Sequence, residues 1–576
     1  MKHIALLPVP TAPETQCYAD FLSELKRIGF QGDIESDYAK RVVFATDNSV
    51  YQRVPQASIF PRHTDDLIVV ARLAAQDKYR GIVLSPRGGG TGTNGQSLTD
   101  GIMVDLSRHM NQILHIDARN RTAIVQPGVV KDQLNAALKP YGLFFAPELS
   151  TSNRATIGGM INTDASGQGS CTYGKTRDHV LGLKTVLLGG QVLDTFAIRT
   201  EELPQFKNDD EVGDIYSTVD ELVTTHAQAI QDTFPPLNRC LTGYDLPHIK
   251  ENGEFNLNNL LCGSEGSLGF IAEAKLNVLP IPTEQILVNV RYADFQAALR
   301  DATALMALKP LSIETVDSTV LELAQNDIVW SSVARYFPDN EDGAATRGIN
   351  LVEFAGNDRE ALQEQVDAFI RHLDTDQSVV RLGQTVATGA KEVNTVYGMR
   401  KRAVGLLGNV QGEIRPQPFV EDTAVPPENL ADFIAEFREV LDAADLKYGM
   451  FGHVDAGVLH VRPALDMKDP EQAAMIRPIT DKVVELVHKY GGVLWGEHGK
   501  GLRSGYAPKF FGELYPVLQQ IKALFDPHNQ LNPGKIATPS TQPNAALLAV
   551  DEVDFRGDFD RQIQPSNWQH FNSAVY

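Results

Sequence analysis

Ser85-Pro-Arg-Gly-Gly-Gly-Thr-Gly-Thr-Asn-Gly-Gln96 is the stretch whose reading sets the fold class of this 576-residue chain. It follows Gly81-Ile-Val-Leu84, a short apolar run that reads as a buried strand, so the chain passes from strand directly into glycine-rich backbone. Glycines crowded into one window remove the Cβ atoms that would keep backbone N–H groups from converging on an anion, and Arg87 adds positive charge. A phosphate is the expected guest. A plain tight turn would account for a pair of glycines, not for Gly88, Gly89, Gly90, Gly92 and Gly95 beside an arginine. No Gly-Lys-Ser/Thr closes the loop, which excludes a P-loop, and no helix-forming segment follows directly, as a Rossmann dinucleotide turn requires. The next segment is Gly101-Ile-Met-Val-Asp-Leu106, another strand. A phosphate loop between two strands favours an α+β flavin-binding architecture over a parallel nucleotide fold.

Composition narrows the function. Lys and Arg number 52 against 73 Asp and Glu, a formal net charge of −21, which argues against nucleic acid as a partner and against docking on anionic lipid by general charge. An anionic substrate must then meet a local basic cluster. No segment approaches the ~20 apolar residues of a membrane span. Met1-Lys-His-Ile-Ala-Leu-Leu-Pro-Val-Pro10 is too short and too broken by proline for a secretory signal. Cys17, Cys171, Cys240 and Cys262 are widely spaced and form no redox or metal pair, which fits a reducing cytoplasm, with peripheral attachment at the inner membrane face left open.

Outward from the loop, residues 14–30 carry Tyr18, Phe21, Leu22, Leu25 and Ile28 at helical spacing, residues 55–61 read as a strand, and residues 64–76 as a helix capped by Thr64. A strand over 122–128 and a helix over 130–138 follow, in mixed order rather than regular βαβ alternation. Residues 145–170, followed by Tyr173-Gly-Lys-Thr-Arg-Asp178, combine hydroxyls with Gly158, Gly159, Gly167, Gly169 and Gly174. Such backbone can lie flat against a planar ligand, a surface loop being the alternative. A third glycine cluster, Cys262-Gly-Ser-Glu-Gly-Ser-Leu-Gly269, precedes an edge or half-buried strand over 270–279, and Pro280-Ile-Pro282 marks a domain boundary. Beyond it the pattern becomes a second α/β layer, with strands over 286–292, 312–316 and 348–354 and helices over 294–307 and 358–373.

Pro86-Arg-Gly-Gly-Gly-Thr-Gly92, Thr156-Ile-Gly-Gly159, Tyr173-Gly174, Leu181-Gly182 and Gly263-Ser-Glu-Gly-Ser-Leu-Gly269 together resemble the PCMH-type FAD-binding domain of the vanillyl-alcohol-oxidase superfamily. That resemblance implies that the first glycine loop holds the FAD pyrophosphate and that the later ones line the adenine and isoalloxazine. Carried over by position, the implied cofactor contacts are Arg87, Gly88, Gly89, Gly90, Thr91, Gly92, Asn94, Pro147, Glu148, Ser150, Thr156, Gly158, Gly159, Asn162, Gly167, Tyr173, Gly174, Glu265 and Gly266, with Asn532 returning to the flavin. Thr91 stands where some relatives place a histidine bonded covalently to the flavin, so dissociable FAD is expected.

The second informative stretch is Gly449-Met-Phe-Gly-His453-Val-Asp-Ala-Gly-Val-Leu-His460-Val-Arg462. Read as a hairpin with Ala456-Gly457 as its loop, it sets His453 directly opposite His460 on one sheet face, with Cβ atoms about 5 Å apart. A three-residue turn would shift this register. Two imidazoles so placed can grip one metal ion. Gly496-Glu497-His498-Gly499-Lys500-Gly501, after a strand expected over 492–495, adds a carboxylate and a third imidazole. Neighbours on an extended chain face opposite sides, so Glu497 and His498 are expected to do different jobs. Two histidines and a glutamate form a common open zinc site.

Both features occur in FAD-linked dehydrogenases of D-2-hydroxy acids, which the chain resembles from about residue 40 to Leu531-Asn-Pro-Gly-Lys535. The resemblance implies a divalent metal, zinc by its donors, on His453, His460 and Glu497, with His498 as catalytic base and Arg400 of Tyr397-Gly-Met-Arg400 at the substrate carboxylate. Arg462, Arg402 and Lys500 are further candidates for the basic cluster, Arg462 foremost because a guanidinium fork matches a carboxylate. One departure falls at Phe419-Val-Glu421, where some members place a lysine, so no substrate contact is carried over there.

The expected layout is an N-terminal helical segment (1–40), an FAD domain (41–282), a substrate and metal cap (283–505), a return to the FAD domain (506–537) and a linker with tail (538–576). Large bacterial D-2-hydroxyglutarate-type enzymes join such a flavin module to a cysteine-rich iron–sulfur domain. No cysteine follows Cys262, so no cluster is expected within this chain. The implied partners are a small 2-hydroxy acid and an electron acceptor, either a quinone or an iron–sulfur domain, in a possible homo-oligomer. D-2-Hydroxyglutarate leads as substrate, with D-lactate or glycolate as alternatives. The rivals are an oxidase of the same fold, which needs no metal triad, and a non-catalytic flavin electron-transfer subunit.

Overall fold

The glycine loop joins Leu84–Arg87 to Ile102–Asp105, two strands that lie side by side in parallel. Ala57–Phe60 continues the sheet in parallel and Asp33–Glu35 closes its edge antiparallel. In this computed structural model the described residues are 16–561, apart from 209, 339, 341–342 and 409–412, with the side chains of 403–408 and 559–561 also set aside. The stretch from Met1 to Pro10 and the tail that ends at Tyr576 therefore lie outside the described residues. Helices Gln16–Arg27 and Thr64–Ala74 close over the small sheet through Phe21, Leu25, Leu67, Val70 and Leu73. The cap of the second helix is His63 rather than Thr64: its Nδ1 accepts from Asp66 N at 3.3 Å.

A second, antiparallel sheet runs Ile113–Asp117, Thr122–Val125, Phe270–Asn277, Val180–Val186, Val192–Phe196. Phe270–Asn277, read as an edge or half-buried strand, is the central strand of this sheet, and of the two readings the half-buried one holds, since the alternation in its sequence is the mark of a sheet with one buried face. Phe270, Ala272 and Val186 reach into the core of the first sheet and weld the two together.

The cap is one large antiparallel sheet in the order Gly383–Thr388, Glu284–Tyr292, Gly348–Gly356, Ser312–Asp317, Tyr448–His453, Val458–Leu465, Arg415–Pro416, with Thr423–Ala424 also pairing to Val458–Leu465. Its central strands are buried on both faces, while the edge strand Gly383–Thr388 is largely half-buried or exposed. Val288 and Phe354 face Phe369, Phe433 and Val483 of helices Arg359–Thr375, Leu430–Asp442 and Ile476–Lys489, while Leu287 and Leu351 face Val396 of helix Ala390–Gly408. The strand expected over 492–495 is reduced to one bridge, Val493 with Ala424.

The segment read as linker and tail packs along its described length. Phe555 bridges and stacks on Tyr51, ring centroids 5.6 Å apart, and Tyr51 OH donates to Val550 O at 2.9 Å. Asp551 meets Arg477 of the cap at 3.0 Å, so the segment straps the FAD domain to the cap. Among the described residues no helix is long and apolar enough to cross a membrane.

Candidate active site

Between the FAD domain and the cap lies a cavity of about 500 Å³. Its FAD-side wall is Arg87, Gly88, Gly89, Gly90, Thr91, Gly92, Glu148, Ser150, Thr156, Gly158, Gly159, Asn162, Gly167 and Glu265; its cap-side wall includes Glu314, Tyr397, Arg400, Phe451, His453, His460, Arg462, Glu497 and His498. Gly88 and Gly89 lie so near Thr156 Oγ1 and Arg154 O that no Cβ fits at either position. The loop is thereby pressed onto helix Ile157–Thr163, whose first turn is capped by Thr156 Oγ1, accepting from Gly159 N at 3.3 Å. A side-chain-free cradle of this kind fits a dinucleotide cofactor.

Asn94, Pro147, Tyr173, Gly174, Gly266 and Asn532 stand back from the wall. Asn532 is a strut: its Nδ2 donates to Gln96 O at 2.9 Å and to Glu265 O at 2.6 Å, tying the first glycine loop to the third. Asn94 Nδ2 reaches Gly499 O at 3.3 Å, Tyr173 packs edge-on against Phe144, and Gly174 and Gly266 supply positive-φ turns. Arg87, expected to offer charge to a phosphate, donates from Nη2 to Thr46 O at 2.8 Å and from Nη1 to Phe44 O at 3.4 Å, so it buttresses the loop from beneath Gly90.

The hairpin differs in register from the sequence reading. Residues 454–457 form its turn, with Gly457 at φ +68°, so Phe451 pairs with His460 and His453 with Val458. A displacement of two residues preserves the face, and the two imidazoles sit diagonally with ring centroids 5.4 Å apart. His453 Nε2 lies 3.3 Å from Glu497 Oε1 and His460 Nε2 lies 3.6 Å from Glu497 Oε2. One donor atom from each of the three falls within 4.8 Å of the others. His453 Nδ1 contacts Glu314, its cross-strand partner, and this carboxylate turns the free Nε2 inward, as a metal-bound imidazole requires. Glu314 Oε2 also meets Arg400 Nη2 at 2.8 Å; burial works against its charge, but His453 and Arg400 hold its pKa below the usual range. Arg239, missed in the sequence, is buried against Glu497 Oε1 and donates to Ser166 Oγ at 3.0 Å. Burial opposes the Glu497 charge too, yet Arg239 and His453 keep the carboxylate ionised. The donor set and its outer partners fit a divalent cation.

Glu497 and His498 both enter the cavity, against the alternation expected of a strand, because the chain there is looped rather than extended. Asp422 makes the loop: its Oδ1 accepts from Glu497 N at 2.6 Å and its Oδ2 from His498 N at 2.8 Å. Asp422 itself adopts φ +77°. The His498 ring stacks on His460 at 5.0 Å, and its Nδ1 stands 3.1 Å from Glu421 Oε1. Burial opposes protonation of His498, but Asp422 and Glu421 hold its pKa up to about 9. Glu421, set aside in the sequence because a lysine was missing there, is a buried member of the site, fixed by Arg462 Nε at 2.6 Å.

Of the residues read as a basic cluster, Arg400 and Arg462 line the cavity, both beside the Phe451 ring, as do Lys401 and Arg154. Arg402 instead pairs with Asp327 at the surface, 3.1 Å away. Lys500 turns inward, its Nζ over Trp495 at 4.7 Å and Phe511 at 4.6 Å.

Fold and site together define a flavin-binding architecture, and the chain carries the C-terminal domain of the FAD linked oxidases beside an FAD binding domain. Residues 55–195 match the FAD binding domain and residues 281–536 the FAD linked oxidases, C-terminal domain. It is 64% identical over 561 residues to D-2-hydroxyglutarate dehydrogenase of Pseudomonas putida, covering 97% of this chain and 56% of that protein. With the enzyme of the same name from Escherichia coli it shares 54% over 568 residues, covering 97% and 55%. The chain thus spans little more than half the length of these curated relatives. Glycolate oxidase subunit GlcD of Bacillus subtilis is 27% identical, with 90% of this chain and 96% of that one covered. Among solved structures, p-cresol methylhydroxylase with substrate bound shares the fold at TM-score 0.66 and 14% identity, covering 92% of this chain and 99% of that one.

Proposed function

We propose that this chain carries the flavin half-reaction of a dehydrogenase that oxidises D-2-hydroxyglutarate to the 2-oxo acid. The observation that carries the reading is the opening of the His453, His460 and Glu497 triad onto the same cavity as the glycine cradle. The three cations on the cap side of that cavity, Arg400, Lys401 and Arg462, are more than a monocarboxylate needs, which favours a dicarboxylate over D-lactate or glycolate. The names of the relatives that are 54–64% identical point the same way.

When bound, dissociable FAD supplies a two-electron acceptor, and a divalent cation on the triad, zinc by its donors, supplies positive charge that lowers the pKa of the substrate hydroxyl and of His498. Arg400 and Arg462 hold the carboxylates and orient the α-carbon. His498, steadied at Nδ1 by Glu421, takes the hydroxyl proton at Nε2. Phe451 and Tyr397 close the wall between the two arginines and thin the water around them. The electron acceptor that completes the reaction would be one other than NAD, a quinone or an iron–sulfur domain.

Anaerobic mixing of the yellow holoprotein with D- and L-2-hydroxyglutarate, D-lactate, D-malate and glycolate tests this. D-2-Hydroxyglutarate should bleach the flavin fastest, and chelation should slow it. If no acid bleaches the flavin, the enzyme reading is lost to the electron-transfer one.

A further inference from the structure

We infer a second cation site at the wall of this cavity, formed by His460 and His498 that line it and by Glu421 buried behind them, whose occupation shuts the enzyme off. It shares His460 with the triad, a ring that holds both ions at once only as a bridging imidazolate with its remaining N–H proton released to solvent, and in that respect it rests on the function proposed above. One donor atom from each of the three residues lies within 4.8 Å of the others. Glu421 and His460 are buried, and Glu421 Oε1, His460 Nδ1 and His498 Nδ1 are buried atoms without a hydrogen-bond partner. The Oε1 to Nδ1 separation of 3.1 Å brings Glu421 and His498 together as an ion pair but without hydrogen-bond alignment. A buried ion pair without hydrogen-bond alignment beside a buried imidazole nitrogen with no hydrogen bond leaves donors poorly satisfied within one small volume, and a cation is the ligand that suits them.

The surroundings fix the donors for this purpose. Glu421 Oε2 is anchored on Arg462 Nε at 2.6 Å, which leaves Oε1 turned toward the imidazoles. The His460 and His498 rings lie 5.0 Å apart and within 16° of parallel, so one of them must rotate for their in-plane lone pairs to meet on one ion. Zinc bonds of about 2.0–2.2 Å need the donors to close by about 1 Å, within the reach of side-chain rotation. Two imidazoles and a carboxylate select Zn²⁺ or Cu²⁺ over Mg²⁺ or Ca²⁺. The Arg462 charge beside Glu421 makes this the weaker of the two sites, filled only when metal is in excess. An ion there takes the Nδ1 lone pair of His498, the displaced proton leaving to solvent and the remaining one sitting on Nε2, so no lone pair faces the substrate hydroxyl.

The test is a Zn²⁺ titration of metal-depleted, FAD-loaded protein, with bound zinc counted by mass spectrometry and flavin bleaching followed in parallel. The first equivalent should restore bleaching, and a second, weaker one should slow it at least tenfold. In the zinc count, Glu421→Gln should keep the first ion and lose the second, and His453→Ala should lose the first and keep the second; because Glu421 also steadies His498, the Glu421 variant is judged on bound zinc and not on its bleaching rate. A wild-type protein that binds a single ion, lost in His453→Ala, overturns the second site and spares the first. Zinc binding that disappears in Glu421→Gln and is indifferent to His453→Ala overturns the triad instead. Should Glu421→Gln fail to retain FAD, anomalous scattering at the zinc edge from wild-type crystals grown in excess zinc decides. A peak between Glu421, His460 and His498 supports the site, and a peak at the triad alone overturns it.

Discussion

His498 is gripped at its backbone by Asp422, on its ring face by His460 and at Nδ1 by Glu421. General-base assistance is typically worth 10²–10⁴-fold, so His498→Ala should cost about 3–5 kcal/mol of barrier. Bound FAD should be retained, and stopped-flow bleaching beside the flavin absorbance of the purified variant checks both. Lys500 offers a different prediction. Burial pushes its ammonium down to about 7, with Glu265 and Cys240 pulling the other way, and its Nζ has no hydrogen-bond partner. Between pH 7 and the unfolded value near 10.5, the unfolded chain holds a proton that the folded one lacks, so stability climbs with pH across that window. Lys500→Met keeps the stem and removes the titration. It should raise Tm at pH 7 and flatten the rise toward pH 10, as melts across a pH series would read. At this scale the sequence exposed the residues whose type is rare in such company, His453, His460, Glu497 and His498. It hid Glu421, Asp422, Glu314 and Arg239, because a buried carboxylate or guanidinium declares itself only through the partner that lies beside it.

Among the elements, the hairpin is where sequence reasoning came nearest and still slipped. Gly457 was taken for the second residue of a tight loop, whereas a one-turn 3₁₀ segment precedes it and carries the pairing two residues along. The face survived because the side-chain period of a strand is two, which is why the pairing of His453 and His460 on one site was legible while the register was not. Strands such as Gly348–Gly356 and Ser312–Asp317 were legible because their apolar runs are bounded by breakers. The loop over 493–499 was not, since the side chain of Asp422 organises it from afar. Gly457 combines φ +68° with a site where a Cβ would collide with Val425 O. Gly457→Ala should cost at least about 1–2 kcal/mol of stability and displace His453. A lowered melting midpoint together with reduced metal content in the purified variant would bear this out.

For the whole molecule, the strap matters most. Its contacts with Tyr51 on one side and Arg477 on the other join FAD domain to cap by a route that bypasses the cavity. Phe555→Ala removes a buried ring and a stacked pair, worth about 2–4 kcal/mol. Calorimetry should then show one unfolding transition separating into two, FAD domain and cap; a single unshifted transition would deny the strap that role. Composition had suggested a linker here, since Pro, Ser, Thr and Gln give no sign of what a distant Tyr51 will hold. The domain order and the FAD cradle were legible because glycine clusters are local signals.

Glu265 stands on the cofactor side of the cavity, yet its carboxylate accepts from Lys500 N at 2.6 Å and Gly501 N at 2.9 Å, in the loop that presents His498. Loss of the flavin would therefore slacken the very latch that holds the catalytic loop shut, so an emptied protein should be nicked by proteases near residue 500 before it melts.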